Sequence, residues 1–146
     1  MYKSINIISR ASILAKIQAN HAGVDSALML DNLGFISEMN GTNIFMVKNG
    51  VLLTPTADAC LHGITRGLVM ELALANGLTV EERNISLTEL YAADEAFGTG
   101  SMGELTPIVE VDGRHIVNRS QSNITTRLIH WFKDVHEKLS TPLEML

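Results

Sequence analysis

The sequence predicts an α/β domain of the mixed α+β kind, a hairpin-rich sheet with flanking helices. Three observations carry that expectation. Asn49-Gly50 and Asp112-Gly113 each lie between short apolar runs, the strongest local sign of a tight β-hairpin. Longer segments repeat their apolar residues at helical rather than strand spacing. And strands and helices do not alternate regularly, as they would in a doubly wound parallel sheet. With 146 residues the chain is expected to form one domain, 1–146, long enough to bury a sizeable core.

Taken in order, Ser9 to Asn20 reads as a helix, with Ile13, Leu14 and Ile17 as its apolar face and Gly23 as its stop. Ala27-Leu28-Met29-Leu30 reads as a buried strand, Asp31-Asn32-Leu33-Gly34 as a turn, and Phe35-Ile36-Ser37-Glu38 as the returning strand. Asn43 to Val47 and Val51 to Thr54 flank the Asn49-Gly50 turn. A loop of small residues then leads through Leu61-His62-Gly63-Ile64-Thr65-Arg66 into a helix. Its face is Leu68, Val69, Leu72 and Ala73, and Gly77 stands where a left-handed C-terminal residue is wanted. Leu78 to Arg83 alternates like a strand with one exposed face. Ser86 and Glu89 have the spacing of a capping box. Glu95 to Gly100 looks like a strand entering a glycine-rich turn, and Pro107–Val111 with Arg114–Val117 forms the second hairpin. A last helix from about Ile124 to Lys138 carries Ile124, Leu128, Trp131, Phe132, Val135 and Leu139 as its stripe.

Composition narrows the function classes. Hydrophobic residues at 46% and charged residues at 18% exclude a disordered chain. A net charge of -5 without a Lys/Arg cluster argues against nucleic acid as a partner. No apolar run approaches the roughly 18 residues of a membrane span. The single Cys60 and a start without a signal-peptide pattern fit a reducing cytoplasm. The five histidines lack metal-ligand spacing, so no metal is expected.

From the residues alone, Gly63-Ile64-Thr65 delivers bare N–H groups to a helix start, a natural seat for a phosphate, with the Thr65 hydroxyl as a cap or an extra donor. Many helices begin in this way and bind nothing. Glu38 reads either as a solvated strand-end carboxylate or as the partner of a protonated ring nitrogen. The turn Gly98-Thr99-Gly100-Ser101-Met102-Gly103 reads either as flexible chain or as a nest of amides around an anion.

Three runs, Glu38-Met39-Asn40-Gly41-Thr42-Asn43-Ile44-Phe45, Leu52-Leu53-Thr54 and Leu61-His62-Gly63-Ile64-Thr65-Arg66, resemble the class IV aminotransferase signature. That fold-type IV family of pyridoxal phosphate enzymes holds branched-chain aminotransferases, D-amino acid aminotransferases and aminodeoxychorismate lyases. Ile13 to Ala19, Ala27 to Asp31, Ala93 to Phe97 and Gly103 to Pro107 look like the branched-chain members. The resemblance implies the C-terminal, cofactor-binding domain of the D-amino acid aminotransferase-like fold, a hairpin-rich sheet or pseudo-barrel, with the N-terminal domain of longer members absent. It implies pyridoxal 5'-phosphate as cofactor and amino transfer between a branched-chain amino acid and 2-oxoglutarate, in a homodimer. D-amino acid transfer, aminodeoxychorismate lyase chemistry and a non-catalytic fragment stay open as alternatives.

By the same resemblance, Glu38 would face the pyridine nitrogen and Asn43 would order the loop after it. Ile64, Thr65 and Ser101 would hold the phosphate. Met102 would lie by the cofactor, and Met102 and Gly103 by the substrate carboxylate. Lys3 would be the lysine that binds the cofactor aldehyde and moves protons. Two departures stand out. Counted back from Lys16 without a gap, the family lysine falls on Ile5, so Lys3 requires about two extra residues. Asn40 stands where the signature usually has a small residue.

Overall fold

The computed structural model describes residues 3–9, 12–58, 60–100, 104–116 and 123–139. Among them, nine strands and four helices follow in the order β1 (Lys3–Ser9), α1 (Ser12–His21), β2 (Ser26–Leu30), β3 (Ile36–Met39), β4 (Asn43–Lys48), β5 (Val51–Thr54), α2 (Ile64–Ala75), β6 (Thr79–Glu82), α3 (Leu87–Tyr91), β7 (Glu95–Thr99), β8 (Leu105–Val111), β9 (Arg114–His115) and α4 (Ile124–Leu139).

The strands join one sheet in the order β3-β2-β1-β8-β7-β4-β5-β6, with β9 on β8. The mixed class is as the sequence predicts. The hairpins form at both expected turns, and Asn49 and Gly50 adopt φ of 50° and 78° there. Such a pair of positive φ values belongs to the type I′ turn and explains the Asn-Gly sequence. Ser86 and Glu89 close the capping box at the start of α3.

Two expectations need correction. The first concerns Ser9, which the sequence pattern places at the start of a helix. It ends β1 instead, a strand with parallel neighbours on both sides, β2 and β8. A strand inside a parallel ladder needs no polar/apolar alternation, so Ile5-Asn6-Ile7-Ile8 gives no period-2 signal. The second concerns α1. Its buried residues are Ala15 and Ala19, which pack on Ala27 and Met29 of β2, while Ile13, Leu14 and Ile17 face outward. Two alanines one turn apart let the helix axis approach the strand closely, and that contact sets the rotation.

Two larger clusters fill the sheet's faces. One gathers Ile5, Leu28, Met39, Met46, Ile85 and Leu90 among others. The other packs α2 and α4 through Val69, Ala73, Leu128 and Phe132 onto Phe45 and Phe97, whose rings stack 5.1 Å apart.

Candidate functional site

The site forms where β3, β4 and the segment before α2 meet. Leu28 pairs with Met39 and Leu30 with Ile36, so Ser37 and Glu38 together stand opposite Met29. Glu38 thus lies in a β-bulge, a device that re-aims a side chain out of the regular ladder. Its Oε2 accepts a hydrogen bond from the Leu61 N–H at 3.1 Å. Asn43, buried at the first position of β4, donates from Nδ2 to the Leu61 carbonyl at 2.8 Å. The Leu61 N–H and carbonyl are therefore both held by the two side chains that bracket the turn from Met39 to Thr42.

Two residues later the chain turns into α2. Gly63 is its N-cap, and no side chain caps the helix. A Cβ at Gly63 would run into the Asn43 side-chain oxygen, so only glycine lets the helix start come this close to β4. Ile64 is almost fully exposed and Thr65 half-buried in the open first turn, whose residues include no acid. Thr65 is a helical residue and not the cap, which leaves its hydroxyl to other partners.

The loop before this helix is pinned from below. Buried Arg66 donates to the Pro55 carbonyl at 2.8 Å and pairs with Glu82 at 3.2 Å. Glu82 accepts from the Ala57 N–H at 3.2 Å. Burial alone would raise the Glu82 carboxyl, but the Ala57 amide and the Arg66 guanidinium hold it below its ordinary value. Burial pushes the half-buried Cys60 thiol up, against the pull of Arg66. The Thr54 hydroxyl donates to the Ile44 carbonyl at 2.9 Å and ties the end of β5 to β4. Glu38 and Thr56 also stand on a cleft of about 720 Å³ that reaches Leu30, Asp31 and Asn84.

Sheet register places the remaining candidates. Asn43, Thr99 and Leu105 share one row across β4, β7 and β8, and the Gly100 N–H donates to the Glu104 carbonyl at 2.6 Å. The loop between them thus leaves and re-enters the sheet at the Asn43 end. Ser101, Met102 and Gly103 lie outside the described residues. Lys3 pairs with Ile108 of β8 at the start of β1, and its side chain lies outside the described part. Ile8, near the other end of β1, is the residue level with Met29 and hence with the bulge.

The structure therefore brings Glu38, Asn43, Ile64 and Thr65 together, and Asn43 acts on the Leu61 backbone. Two participants escape the sequence reading. Leu61 contributes only its backbone N–H and carbonyl, which any residue but proline supplies. Asn40 accepts through its side-chain oxygen from the Ser26 hydroxyl at 2.8 Å and the Ala27 N–H at 2.7 Å, and its own N–H donates to the Ala27 carbonyl at 3.0 Å. Its departure from the small residue of the signature is the available signal.

A pyridine carrying a phosphate fits the residues present. The open helix start offers amides and a hydroxyl to an anion, and the Gly63 contact brings that start against β4, close to the Glu38 carboxylate.

Comparison with known proteins gives the family. Residues 1–111 match the family model described as amino-transferase class IV. A branched-chain-amino-acid aminotransferase-like protein of Arabidopsis thaliana is 51% identical over 132 residues, 90% of this chain and 24% of that protein. A putative branched-chain-amino-acid aminotransferase of Methanocaldococcus jannaschii is 50% identical over 137 residues, 93% of this chain and 47% of the relative. Among solved structures, the branched-chain aminotransferase of Thermoproteus uzoniensis with norvaline superposes with a TM-score of 0.85 at 35% identity, over 91% of this chain and 50% of that one. The T.th. branched-chain amino acid aminotransferase complexed with N-(5'-phosphopyridoxyl)-L-glutamate gives 0.84 at 30%, over 90% and 50%. The chain thus spans about half the length of the archaeal relative and of both solved chains.

Proposed function

Because the chain belongs to the class IV aminotransferases, we propose that it is the cofactor-binding, C-terminal domain of a branched-chain aminotransferase, binding pyridoxal phosphate and serving amino transfer between a branched-chain amino acid and 2-oxoglutarate. The observation that carries this reading is the Leu61 backbone held between Glu38 and Asn43, directly before an uncapped helix start.

Bound there, pyridoxal phosphate supplies an electron sink for charge that develops at the substrate α-carbon. Glu38 accepts the ring-nitrogen proton in a hydrogen bond and favours the protonated ring. One of its oxygens is engaged by Leu61, so the carboxylate arrives already oriented. The Ile64 and Thr65 amides and the Thr65 hydroxyl hold the phosphate, aided by Ser101. Met102 and Gly103 would lie beside the cofactor and the substrate carboxylate. Lys3 would hold the cofactor aldehyde as an imine, with loss of water, and would carry the proton to and from the substrate α-carbon. The partners are amino acid and 2-oxo acid substrates and a second copy in a homodimer, and the compartment is the cytoplasm. Among the described residues no helix is long and apolar enough to cross a membrane.

The test is an absorbance spectrum with pyridoxal phosphate before and after borohydride, followed by peptide mass mapping and a transamination assay. A reduced adduct on Lys3 supports the reading. Absence of any bound chromophore sinks it. A chain that binds the cofactor without turnover is a second reading, favoured by a register that sets Lys3 at the opposite end of β1 from Ile8, the residue level with Glu38. Adduct at scattered surface lysines such as Lys48, with no amino transfer, would select it.

A further inference from the structure

Glu38 is aimed by a bulge, and a bulge is the place where a ladder exerts least control over register. Only the pairs Leu28–Met39 and Leu30–Ile36 tie β3 to β2, on either side of the irregularity. Beyond the Met39–Thr42 backbone pair, Asn40 ties the Glu38 end to β2. Its side-chain oxygen takes both the Ser26 hydroxyl and the Ala27 N–H, while the Asn40 N–H returns a bond to the Ala27 carbonyl. The amide cannot be turned over, because the Ala27 N–H requires an acceptor. Ser26 is buried and lies beside Ile5 of β1, so the clamp reaches the interior of the sheet.

We infer that Asn40 is a positioning residue for Glu38: by clamping the Met39–Thr42 turn to the start of β2 it fixes the bulge that aims the Glu38 carboxylate at the Leu61 N–H. Its importance to cofactor binding rests on the function proposed above for Glu38, but the positioning itself does not. A residue that only stabilised the turn would affect the amides of Ala27 and Thr42 and leave Leu61 untouched. A positioning residue loosens Leu61, which it does not touch.

The experiment is site-resolved amide hydrogen exchange on the full chain, for wild type, Asn40→Ala, Asn40→Asp and Ser26→Ala. Asn40→Asp keeps the acceptor oxygen that both bonds use, and Ser26→Ala removes one of the two. Loss of a bond of this kind changes a local opening equilibrium roughly tenfold. Leu61 is therefore expected to exchange about tenfold faster in Asn40→Ala, near the wild-type rate in Asn40→Asp, and in between in Ser26→Ala. The Gly67 amide, bonded to the Gly63 carbonyl inside α2, serves as the unchanged reference. A Leu61 rate in Asn40→Ala equal to wild type overturns the inference, as does an Asp variant as fast as the Ala variant. Should Asn40→Ala fail to fold, Ser26→Ala against Asn40→Asp decides in the same way. In parallel, titration with pyridoxal phosphate is expected to weaken about tenfold in Asn40→Ala, with inorganic phosphate binding unchanged. A wild-type chain that takes up no pyridoxal phosphate sinks the proposed function, and the exchange rates still decide Asn40.

Discussion

Helices α1 and α4 both carry an apolar stripe in the sequence, and the fold treats the two stripes in opposite ways. In α4 three residues of the stripe are buried: Ile124, Leu128 and Phe132 pack with Val69 and Ala73 of α2 on Phe97 of β7. In α1 it is left outside, with Ile13 75% and Leu14 60% exposed, while Ala15 and Ala19 are fully buried. The start of α4 carries a further anchor. Buried Glu95 of β7 accepts the amides of Ile124 and Thr125 at 3.0 and 2.7 Å, a carboxylate set against the positive end of α4. Neither helix has an acidic residue in its own first turn, so the carboxylate at α4 is supplied by another element. Periodicity thus finds an amphipathic helix but not the face the core will use. The largest residues win where the chain itself supplies a matching surface, and small ones win where close approach to a strand is the better fit.

The sharpest test of that contrast is Leu128→Ala, which should cost about 3 kcal/mol by leaving a cavity between α4 and the sheet, read from the denaturant midpoint. A cost near zero would mean α4 is no more embedded than α1. Glu95→Ala should follow at about 2.5 kcal/mol, because two amides lose a charged acceptor inside the protein. Thermal melts would show it, and equal stability would mean that Glu95 does not anchor the start of α4. Ala19→Leu should cost about 2 kcal/mol by lifting α1 from β2, although the substitution favours helix and adds apolar surface. Stabilisation instead would show that α1 is free to rotate. Ile13→Ser with Ile17→Ser should change stability by no more than about 0.5 kcal/mol. It should also reduce self-association in sedimentation, and a large loss of stability would mean the stripe is packed after all.

A pH prediction extends the comparison to α2, which anchors through a charge pair, Arg66 with Glu82. The folded state holds Glu82 below its ordinary value. Its contribution is therefore complete above the ordinary carboxylate range and fades as pH falls through the lowered folded value. Glu82→Gln should flatten that acid arm of the stability curve while leaving the neutral-pH shape unchanged. An unaltered acid arm would count against the pair.

Local chemistry is legible in the sequence wherever the deciding partner lies nearby. The Asn49-Gly50 and Asp112-Gly113 turns, the Ser86–Glu89 capping box and the Gly77 stop all form as read. The signature residues Glu38, Asn43, Ile64 and Thr65 do come together. What stays hidden is decided at a distance or by backbone. The bulge at Glu38 depends on β2 and the Asn40 clamp. The Leu61 contribution is its backbone N–H and carbonyl, without a side-chain signature. And the strand β1 goes unread, with Ser9 given to the helix instead, because its identity as a strand comes from β2 and β8 on either side.

That last placement bears on how the domain is made. Lys3 pairs with Ile108, so β1 waits for a strand made much later than itself to complete its ladder. Closing so long a loop is slow compared with forming a hairpin. Meanwhile β1 and β2 present an open apolar edge, the kind of edge that recruits other chains. Production of this domain should accordingly be governed by the time between synthesis of β1 and arrival of β8. Slowing translation after residue 111 cannot help it, whereas a chaperone that shields the nascent β1–β2 segment should.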